Sequence, residues 1–451
     1  MAKKIQYRAV SIEKVTPEAL ASSLTGARKL VVAVDVAKTK MMAGFAREDC
    51  TVVRLVKWTS PLETRAFVEL IVQTARLLDT PVDALMEPTG TYGEPLRALL
   101  LANSVQVFML SPKRVHDAAE VFDGVPSMHD AKACVVMARL HQQSVSKLYV
   151  QPSQQRLQLR ALVEQRELYA KPMQFYLGRL EALLARHWPE ALQEVDVWRN
   201  KTPLALLTVY PSPEDMFEHA AEVLESVHTL GRARKQKMEQ AQRMLACAKR
   251  SVGVALDIET KQLIRLTASE ALRMRSALDD IDRRIEDAGE KAPITQNIAS
   301  VVGKVTAVVL VAHLGGLTDY TSAAALEKAC GLNLKTRSSG NSDGRLSITK
   351  RGSAPVRRYL FLASLRLIQA DPLAARWFQA RAGYRGGHKL VAVVAVMRKL
   401  IRALWHVARG NKFDSSKLFD ERAMSALAPT TSSGNSTSHD GPALHELGAV
   451  L

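Results

Sequence analysis

Several features that would define a compartment or a small stapled fold are scarce in this sequence. Cysteine occurs four times in 451 residues, at distant positions with no CxxC pair, which excludes a disulfide framework and a zinc-ribbon spacing. The most apolar stretch, residues 301–314, is broken by Lys304 and is too short to span a bilayer. We therefore expect free, buried thiols in a reducing cytoplasm, and neither a signal peptide nor a membrane span.

Acidic residues are nearly absent from one long segment. Residues 331–410 hold 16 Lys and Arg but only two acids, Asp343 and Asp371. Twelve of the 16 are Arg, whose planar guanidinium group suits bidentate contacts with phosphate. Together with a formal net charge of +17, this segment favours a polyanionic partner such as DNA. The alternative is a solvated helix face.

The apolar pattern divides the chain into five regions. Residues 1–28 form a polar leader, and residues 29–150 alternate short apolar runs with amphipathic segments. Residues 151–297 have helical periodicity, and residues 298–415 are mainly helical and rich in Arg. Residues 416–451 are rich in Ser, Thr, Gly and Pro without an apolar period, so this tail is expected to be disordered.

The second region predicts an α/β domain with a mixed sheet. Predicted strands are Lys29–Val36, Met41–Arg47, Thr51–Trp58, Val82–Met86 and Val105–Leu110. Predicted helices are Leu62–Leu78, Tyr92–Ala102, Pro112–Phe122 and Asp130–Ser146. This order of elements is that of the ribonuclease-H-like (RuvC-type) fold, in which metal-binding acids project from strand ends and from the last helix.

Three acids stand where such a fold would place metal ligands. Asp35 ends the first strand, Glu87 follows the fourth, and Asp130 opens the closing helix. Any one of them alone is more often a helix cap or a solvated group. Together they predict a site for Mg²⁺ or Mn²⁺, because carboxylates are the ligands these ions prefer.

The third region contains a seam typical of a coiled coil. Its apolar residues alternate four and three apart, and they are Ile264, Ala268, Ala271, Met274, Leu278, Ile281 and Ile285. The spacing favours an oligomerisation helix equally with a helix packed on its own domain.

Four sequence runs carry a resemblance to a known family. They are VVAVDVAKTK at 31–40, LMEPTGTY at 85–92, LSPKRV with HDAKACVVMARL between 110 and 140, and GLNLKTRSSGNSDGRLSITKRGSAPVRRYLF at 331–361. In these runs the sequence resembles the DEDD transposases of bacterial insertion sequences, which include Piv-type DNA invertases and bridge-RNA-guided recombinases.

The resemblance implies a RuvC-like metal domain, a helical linker used in subunit pairing, and a domain whose serine links covalently to DNA. Residue by residue, Ser339 falls on the nucleophile, with Ser338 as the alternative, and the three acids fall on metal ligands. Implied partners are DNA, a structured guide RNA and further copies of the chain, as a dimer or tetramer. Candidate nucleic-acid contacts are Arg337, Arg345, Lys350, Arg351, Arg357, Arg358, Arg398 and Lys399.

One departure from the family pattern bears on activity. The fourth family acid corresponds to Ala133 in this sequence, so His129 or Asp123 substitutes for it or the site is weakened. Two alternatives to a serine recombinase stay open, the first from the predicted N-terminal fold alone and the second from Ala133. One is a nuclease that uses metal-activated water, and the other is a catalytically silent nucleic-acid-binding relative.

Overall fold

The computed structural model of the chain divides into two compact units, Met1–Gln151 and Pro152–Leu451. It describes residues 7–88, 90–122, 124–228, 234–336, 346–383 and 388–420. Unit 1 is a mixed α/β sheet domain, and unit 2 is mostly helical. The coarse division into an α/β N-terminal part and a helical remainder is thus confirmed.

Unit 1 is built on one twisted sheet. Its strands are β1 (Ala9–Ser11), β2 (Leu30–Asp35), β3 (Lys40–Ala46), β4 (Val52–Thr59), β5 (Val82–Met86), β6 (Gln106–Met109) and β7 (Lys147–Leu148). Its helices are α1 (Pro17–Ser23), α2 (Thr64–Leu78), α3 (Glu94–Ala102), α4 (Pro112–Asp117) and α5 (Asp130–Gln142). Among the described residues the strand order is β1-β4-β3-β2-β5-β6-β7, with β2 antiparallel to β3 and parallel to β5.

Strand β2 lies in the middle of this sheet and is buried on both faces. Leu30, Val32 and Val34 pack in the core formed with α2 and α3. Val31 and Ala33 point to the opposite face, where they join the core formed with α5. Because successive side chains of a strand alternate between faces, a strand covered on both sides is a continuous apolar run, as β2 is.

Two features of unit 1 differ from the sequence prediction of five strands after a polar leader. The five predicted strands are β2 to β6, and β1 and β7 extend the sheet at its two edges. Within the leader, β1 pairs with β4, and Leu20 and Leu24 are fully buried. A three-residue strand and a seven-residue helix are too short to produce a recognisable apolar period, so no sequence pattern predicts them.

Unit 2 contains two long helices and many short ones. Its helices are α6 (Gln154–His187), α7 (Pro189–Glu194), α8 (Lys201–Val209), α9 (Pro213–Glu218), α10 (Ala220–His228), α11 (Arg234–Ala248), α12 (Ile258–Glu290), α13 (Pro293–Val302), α14 (Lys304–Leu314), α15 (Ala323–Ala329), α16 (Ala354–Ala370), α17 (Pro372–Gly383), α18 (Lys389–Val407) and α19 (Ser415–Leu418). A two-stranded antiparallel ribbon, β8 (Leu334–Lys335) with β9 (Ser347–Ile348), interrupts them.

Helices α6 and α12 pack against each other as an antiparallel pair. Arg166 donates to Asp282 at 2.6 Å, and Gln155 near the start of α6 donates to the backbone of Lys291 just beyond α12. All seven residues of the predicted α12 seam are buried within the chain. The seam is therefore buried within unit 2, which is one of the two alternatives that its spacing left open, and pairing of subunits through this region stays a prediction. A spacing of three and four residues does not identify the partner of a helix.

The helix pair also joins the two cores of unit 2. Leu159 and Ile285, at one end of the pair, lie in one core with α13 to α18. Leu177 and Ile264, at the other end, lie in a second core with α7 to α11. Residues on both sides of the predicted boundary between residues 297 and 298 thus contribute to one core.

The described residues bear on two further expectations, the absence of a membrane span and the presence of free, buried thiols. Within them, no helix is long and apolar enough to cross a membrane. Cys50, Cys134, Cys247 and Cys330 are all buried and free of disulfides. Burial raises the pKa of each thiol, so none of the four has the character of a reactive thiolate.

Candidate functional site

Two of the predicted acids emerge from neighbouring strands at one edge of the sheet. Val34 of β2 is paired with Met86 of the parallel strand β5, so Asp35 and Glu87 are the next residues on the two strands. Burial, followed by repulsion from Asp130, raises the pKa of Asp35 to about 6. Burial and repulsion from Asp35 raise the pKa of Glu87 to about 7. Asp35 therefore lies within electrostatic range of both other acids.

Helix α5 brings Asp130 to the same edge. The helix begins at Asp130, and one turn later the buried Cys134 Sγ lies 3.5 Å from the backbone oxygen of Met42, the residue paired with Asp35. Residues four apart share a helix face, so Asp130 faces the end of β2. Burial first, and then repulsion from Asp35 and Asp130, raise the pKa of the Cys134 thiol far above its usual range, which excludes this thiol as a ready metal ligand.

The chemistry of these three side chains fits a hard divalent cation. Carboxylate oxygens are the preferred ligands of Mg²⁺ and Mn²⁺. The raised pKa values come first from burial and second from like charges, and a bound cation would relieve the repulsion between those charges. In the described part of the chain, however, no group of three His, Cys, Asp or Glu side chains stands close enough to enclose an ion. Asp35 interacts electrostatically with each of the other two acids, but enclosing an ion requires side-chain movement.

Of the two candidates for the missing fourth ligand, the structure describes His129 but not Asp123. His129 is the N-cap of α5, where Nδ1 accepts a hydrogen bond from the backbone N–H of Lys132 at 3.3 Å and the ring lies edge-on to Tyr7. Its Nδ1 is thus committed to the helix end. Asp123 lies outside the described residues. Ala133 is buried in the core beneath the sheet and has no side-chain donor.

Sequence reasoning missed a second polar cluster, at the opposite end of β5. The buried Asp83 accepts hydrogen bonds from Lys29 Nζ at 2.9 Å and from His141 Nε2 at 3.1 Å, and His141 Nδ1 lies 2.7 Å from Ser146 Oγ. Burial alone would raise the pKa of Asp83, but these partners outweigh it and lower the pKa. The cluster fastens the last turn of α5 to the sheet. Its members are distant in sequence, so no local pattern signals it.

The second candidate site is the serine ribbon, which we define as β8, β9 and the residues between them. Ser339, the predicted nucleophile, lies between the two strands in sequence but outside the described residues, as do Ser338, Arg337 and Arg345. The described base of the ribbon is closed by backbone and side-chain hydrogen bonds. Lys350 N donates to Gly331 O at 2.9 Å, and Thr349 Oγ1 donates to Asn333 Oδ1 at 2.6 Å.

Two glycines make this closure possible. A Cβ added to Gly352 would lie 2.3 Å from the carbonyl oxygen of Ala329, and Gly331 has a left-handed φ of +71°. Glycine is the residue that permits both a left-handed backbone and such a close approach. Arg357 braces the same point by donating to the carbonyls of Cys330 and Gly352. The ribbon therefore starts and ends at a tight backbone crossing.

We expect Gly352→Ala to destabilise this crossing. The new methyl group would meet backbone atoms, which cannot move aside as a side chain can, and overpacking of this kind typically costs about 1–3 kcal/mol or more. Thermal unfolding should therefore occur several degrees lower. Gly383→Ala is the matched control, since a Cβ there meets nothing within 4 Å and Ala favours a helix over Gly. Equal melting temperatures for the two variants would contradict the crossing.

Most of the predicted nucleic-acid contacts that the structure describes are bound within the chain. Arg358 pairs with Glu167 at 2.6 Å, and Arg398 pairs at 2.6 Å with Glu327, a buried acid that Arg402 also contacts. Lys399 donates to the backbone of Leu418, and Arg357 braces the ribbon. Arg357, Arg358, Arg398 and Lys399 thus each have an acceptor within the chain, and their role as phosphate contacts stays a prediction. Lys350 and Arg351 are exposed.

Two family models match the chain, one over the region of the three acids and the other over the region of the serine ribbon. A DEDD transposase model of the IS110 type matches residues 32–189, which include all three acids. The model of the IS116/IS110/IS902 transposase family matches residues 299–379, which include the ribbon. The two matches together cover just over half of the chain, and the chain belongs to the IS110-type family of DEDD transposases.

Similar curated proteins come from insertion elements and from a gene-inversion system. The chain is 29% identical over 144 residues to the insertion element IS110 uncharacterized 43.6 kDa protein of Streptomyces coelicolor (32% of this chain, 35% of the relative). It is 24% identical over 195 residues to the pilin gene-inverting protein of Moraxella bovis (39% and 58%). It is 25% identical over 183 residues to the transposase for insertion sequence element IS1111A of Coxiella burnetii (39% and 49%). The chain spans about a third to just over half of the length of these relatives.

Proposed function

We propose that this protein is a transposase or site-specific recombinase that cuts and rejoins DNA. The observation that carries the proposal is that the two family models fall on the two parts of the chain that hold the acids and the serine ribbon. The names of the relatives, which refer to transposition and to inversion of a pilin gene, agree with it.

We propose a ribonuclease-H-like role for unit 1, in which Asp35, Glu87 and Asp130 hold Mg²⁺ or Mn²⁺. The order β4-β3-β2-β5-β6 with β3 antiparallel supports this fold. An ion bound there would supply positive charge to a phosphate at the moment its bonds change. The carboxylates would hold that ion at the edge of the sheet. They must lose their protons to bind the ion, and the raised pKa values of Asp35 and Glu87 make this step pH-dependent.

Ser339 would act as the nucleophile. Its Oγ would lose its proton and bond to phosphorus, while the bond from phosphorus to one sugar oxygen breaks and that oxygen takes up a proton. The resulting phosphoserine ester conserves the energy of the broken bond, so a hydroxyl of another strand can attack it and regenerate the serine. The closed base of the ribbon supports this assignment, since a nucleophile on a loop needs a fixed support.

Nucleic acid would be bound by exposed cations around the ribbon. Lys335 of β8, Lys350 and Arg351 are exposed at its base, and Arg337 and Arg345 lie within it in sequence. Lys335 was missed by sequence reasoning because it stands apart from the Arg-rich helices. A structured guide RNA and pairing of subunits belong to the same proposal on the strength of the family resemblance. Analysis of the purified protein for bound RNA would test the guide RNA.

Replacing Lys350 and Arg351 together with Ala should weaken DNA binding and lower its salt dependence. Each lost phosphate contact reduces the slope of log affinity against log salt concentration by about 0.7–0.9. Fluorescence anisotropy over a salt series measures this slope. Lys57→Ala is the control, because Lys57 is an exposed cation on β4 in unit 1. If the control and the double variant have equal slopes, the ribbon base is not the phosphate-binding surface.

A covalent adduct test separates the proposal from its two alternatives. The protein is incubated with Mg²⁺ and DNA that contains the ends of its element, and the mixture is then denatured. DNA that remains attached to protein supports the serine recombinase, and cleavage without attachment indicates a nuclease that uses water. Binding without cleavage indicates the silent relative, which Ala133 favours because one family carboxylate is missing.

A further inference from the structure

Helix α5 carries a stripe of side chains that faces the sheet along the whole length of the helix. The stripe consists of Asp130, Cys134, Met137 and His141, at intervals of four, three and four residues, so its members share one helix face. Asp130 begins the helix at the sheet edge that holds Asp35. His141 lies in the last turn, about 16 Å away at 1.5 Å per residue. The two ends of one helix therefore meet opposite ends of the sheet.

The middle of the contact between α5 and the sheet is made of small side chains. A Cβ added to Gly44 of β3 would lie 3.3 Å from the Cβ of Cys134, and Ala33 of β2 and Ala138 of α5 lie in the same core. Small side chains bring the helix close to the strands, but apolar contact is non-directional and resists sliding of the helix along its axis only weakly. Hydrogen bonds are directional, so a polar contact at one end can fix the axial position of α5.

Asp83 and His141 form that polar contact. Asp83 is 2% exposed and is the one charged residue of β5. His141 Nε2 lies 3.1 Å from Asp83 Oδ2, and His141 Nδ1 lies 2.7 Å from Ser146 Oγ. Because a carboxylate accepts hydrogen bonds, Nε2 donates to Asp83, which leaves Nδ1 of the neutral ring to accept from Ser146. The ring is held on both sides, so α5 cannot slide without removing a partner from a buried charge, which is strongly unfavourable.

A metal site at the other end of α5 requires such control. Oxygen ligands lie about 2.0–2.1 Å from Mg²⁺, and a site tolerates deviations of about 0.2 Å. A shift of α5 by the rise of one residue, about 1.5 Å, would therefore remove Asp130 from the ion. Asp35 ends β2 and Glu87 follows β5, two strands whose register is fixed by their backbone pairing. Asp130 is thus the acid whose position depends on the placement of a helix.

We propose that Asp83 and His141 are positioning residues, which fix α5 along its axis and so set the place of Asp130 beside Asp35. The proposal rests on the proposed function, because it takes the three acids to hold a metal ion. Neither Asp83 nor His141 is a ligand of that ion, and both act through the helix. A positioning role also accounts for the buried charge in β5, where an apolar residue of similar size would fold at least as well.

Two replacements of His141 separate positioning from folding. His141→Phe keeps a ring beside Phe108, which contacts the His141 ring edge-on, and removes both ring nitrogens. His141→Gln keeps a side-chain N–H that can donate to Asp83. Leu100→Ala, in the core on the opposite face of the sheet, is the matched control for lost stability. All variants are compared in the full chain at the same interval below their melting temperatures.

The reactivity of Cys134 reports the position of α5 without metal. Its side chain is fully buried against Gly44 of β3. A thiol reagent should modify Cys134 at least about 10-fold faster in His141→Phe than in Leu100→Ala, because local release of a helix exposes its buried face. His141→Gln should remain close to wild type. Peptide mass analysis identifies the modified cysteine, and equal rates in His141→Phe and Leu100→Ala overturn the positioning role.

Titration calorimetry with Mg²⁺ connects the position of α5 to the acids. The dissociation constant for Mg²⁺ should rise about 10-fold or more in His141→Phe, as it does when residues that orient metal ligands are removed, and should stay near the wild-type value in His141→Gln and Leu100→Ala. An unchanged constant in His141→Phe, with normal binding by wild type, overturns the proposal and leaves the metal site intact. A wild type that does not bind Mg²⁺ overturns the metal site instead, and the labelling of Cys134 still decides whether Asp83 and His141 fix α5.

Discussion

Ser339→Ala is expected to abolish the covalent protein–DNA adduct and to leave DNA affinity unchanged. The substitution removes the only proposed nucleophilic oxygen and no charge, so the loss of joining should be at least about 10³-fold, as for other catalytic nucleophiles. Denaturing gel analysis of adducts on labelled DNA and anisotropy of the same DNA measure the two quantities on one preparation.

Ser338→Ala is the matched control, because it removes the neighbouring hydroxyl from the same loop. Adduct formation should survive in this variant. Should Ser338→Ala lose the adduct while Ser339→Ala keeps it, the nucleophile is Ser338. Adducts in both variants would mean that neither serine reacts, and the recombinase mechanism proposed here would be wrong.

Asp35→Asn should change how the protein responds to Mg²⁺ and to pH. In the folded protein the pKa of Asp35 is about 6, above its ordinary value of 3.8, so the folded state holds this proton more tightly than the unfolded state does. The resulting contribution to stability is present below the unfolded pKa and is lost as pH rises through 6. Without metal, Asp35→Asn should therefore melt higher than wild type at pH 8, and the difference should narrow towards pH 5.

In the presence of Mg²⁺ the wild type should melt at a higher temperature than Asp35→Asn. Bound to the carboxylates, the ion stabilises the folded state by mass action, so millimolar Mg²⁺ should raise the melting temperature of wild type but not of Asp35→Asn. The effect on wild type should grow as the pH rises from about 5.5 to 7.5, because protons compete with the ion. Glu69→Gln, an exposed change on α2, should respond like wild type. Equal Mg²⁺ shifts in wild type and Asp35→Asn would remove the metal site from the proposal.

The sequence predicted the strands of unit 1 well because their signals are local. A buried strand between turns is a short apolar run, and Val82–Met86 was placed with its observed bounds. The sheet edge that gathers Asp35, Glu87 and Asp130 follows from the order of those elements. The positions of the acids could therefore be predicted, while the burial that raises the pKa of Asp35 and Glu87 depends on packing that no sequence pattern contains.

The sequence did not predict contacts between residues that are far apart along the chain. The ion pair between Arg358 and Glu167 joins residues 191 positions apart, and a count of charges within 331–410 treats such an arginine as free. The α12 seam was recognised as a packing face, but the helix that fills it, α6, begins more than a hundred residues earlier. Periodicity reports that a face is buried, and only the fold identifies its partner.

The crossing of Gly331 and Gly352 has a consequence for how this protein can diversify. The ribbon is closed at its base. The packing of the helices on either side therefore does not depend on the number of residues between β8 and β9. Lengthening a closed loop costs little, about 0.6 kcal/mol for each doubling of its length. Residues can thus be gained or lost between β8 and β9 while the helical scaffold of unit 2 stays constant.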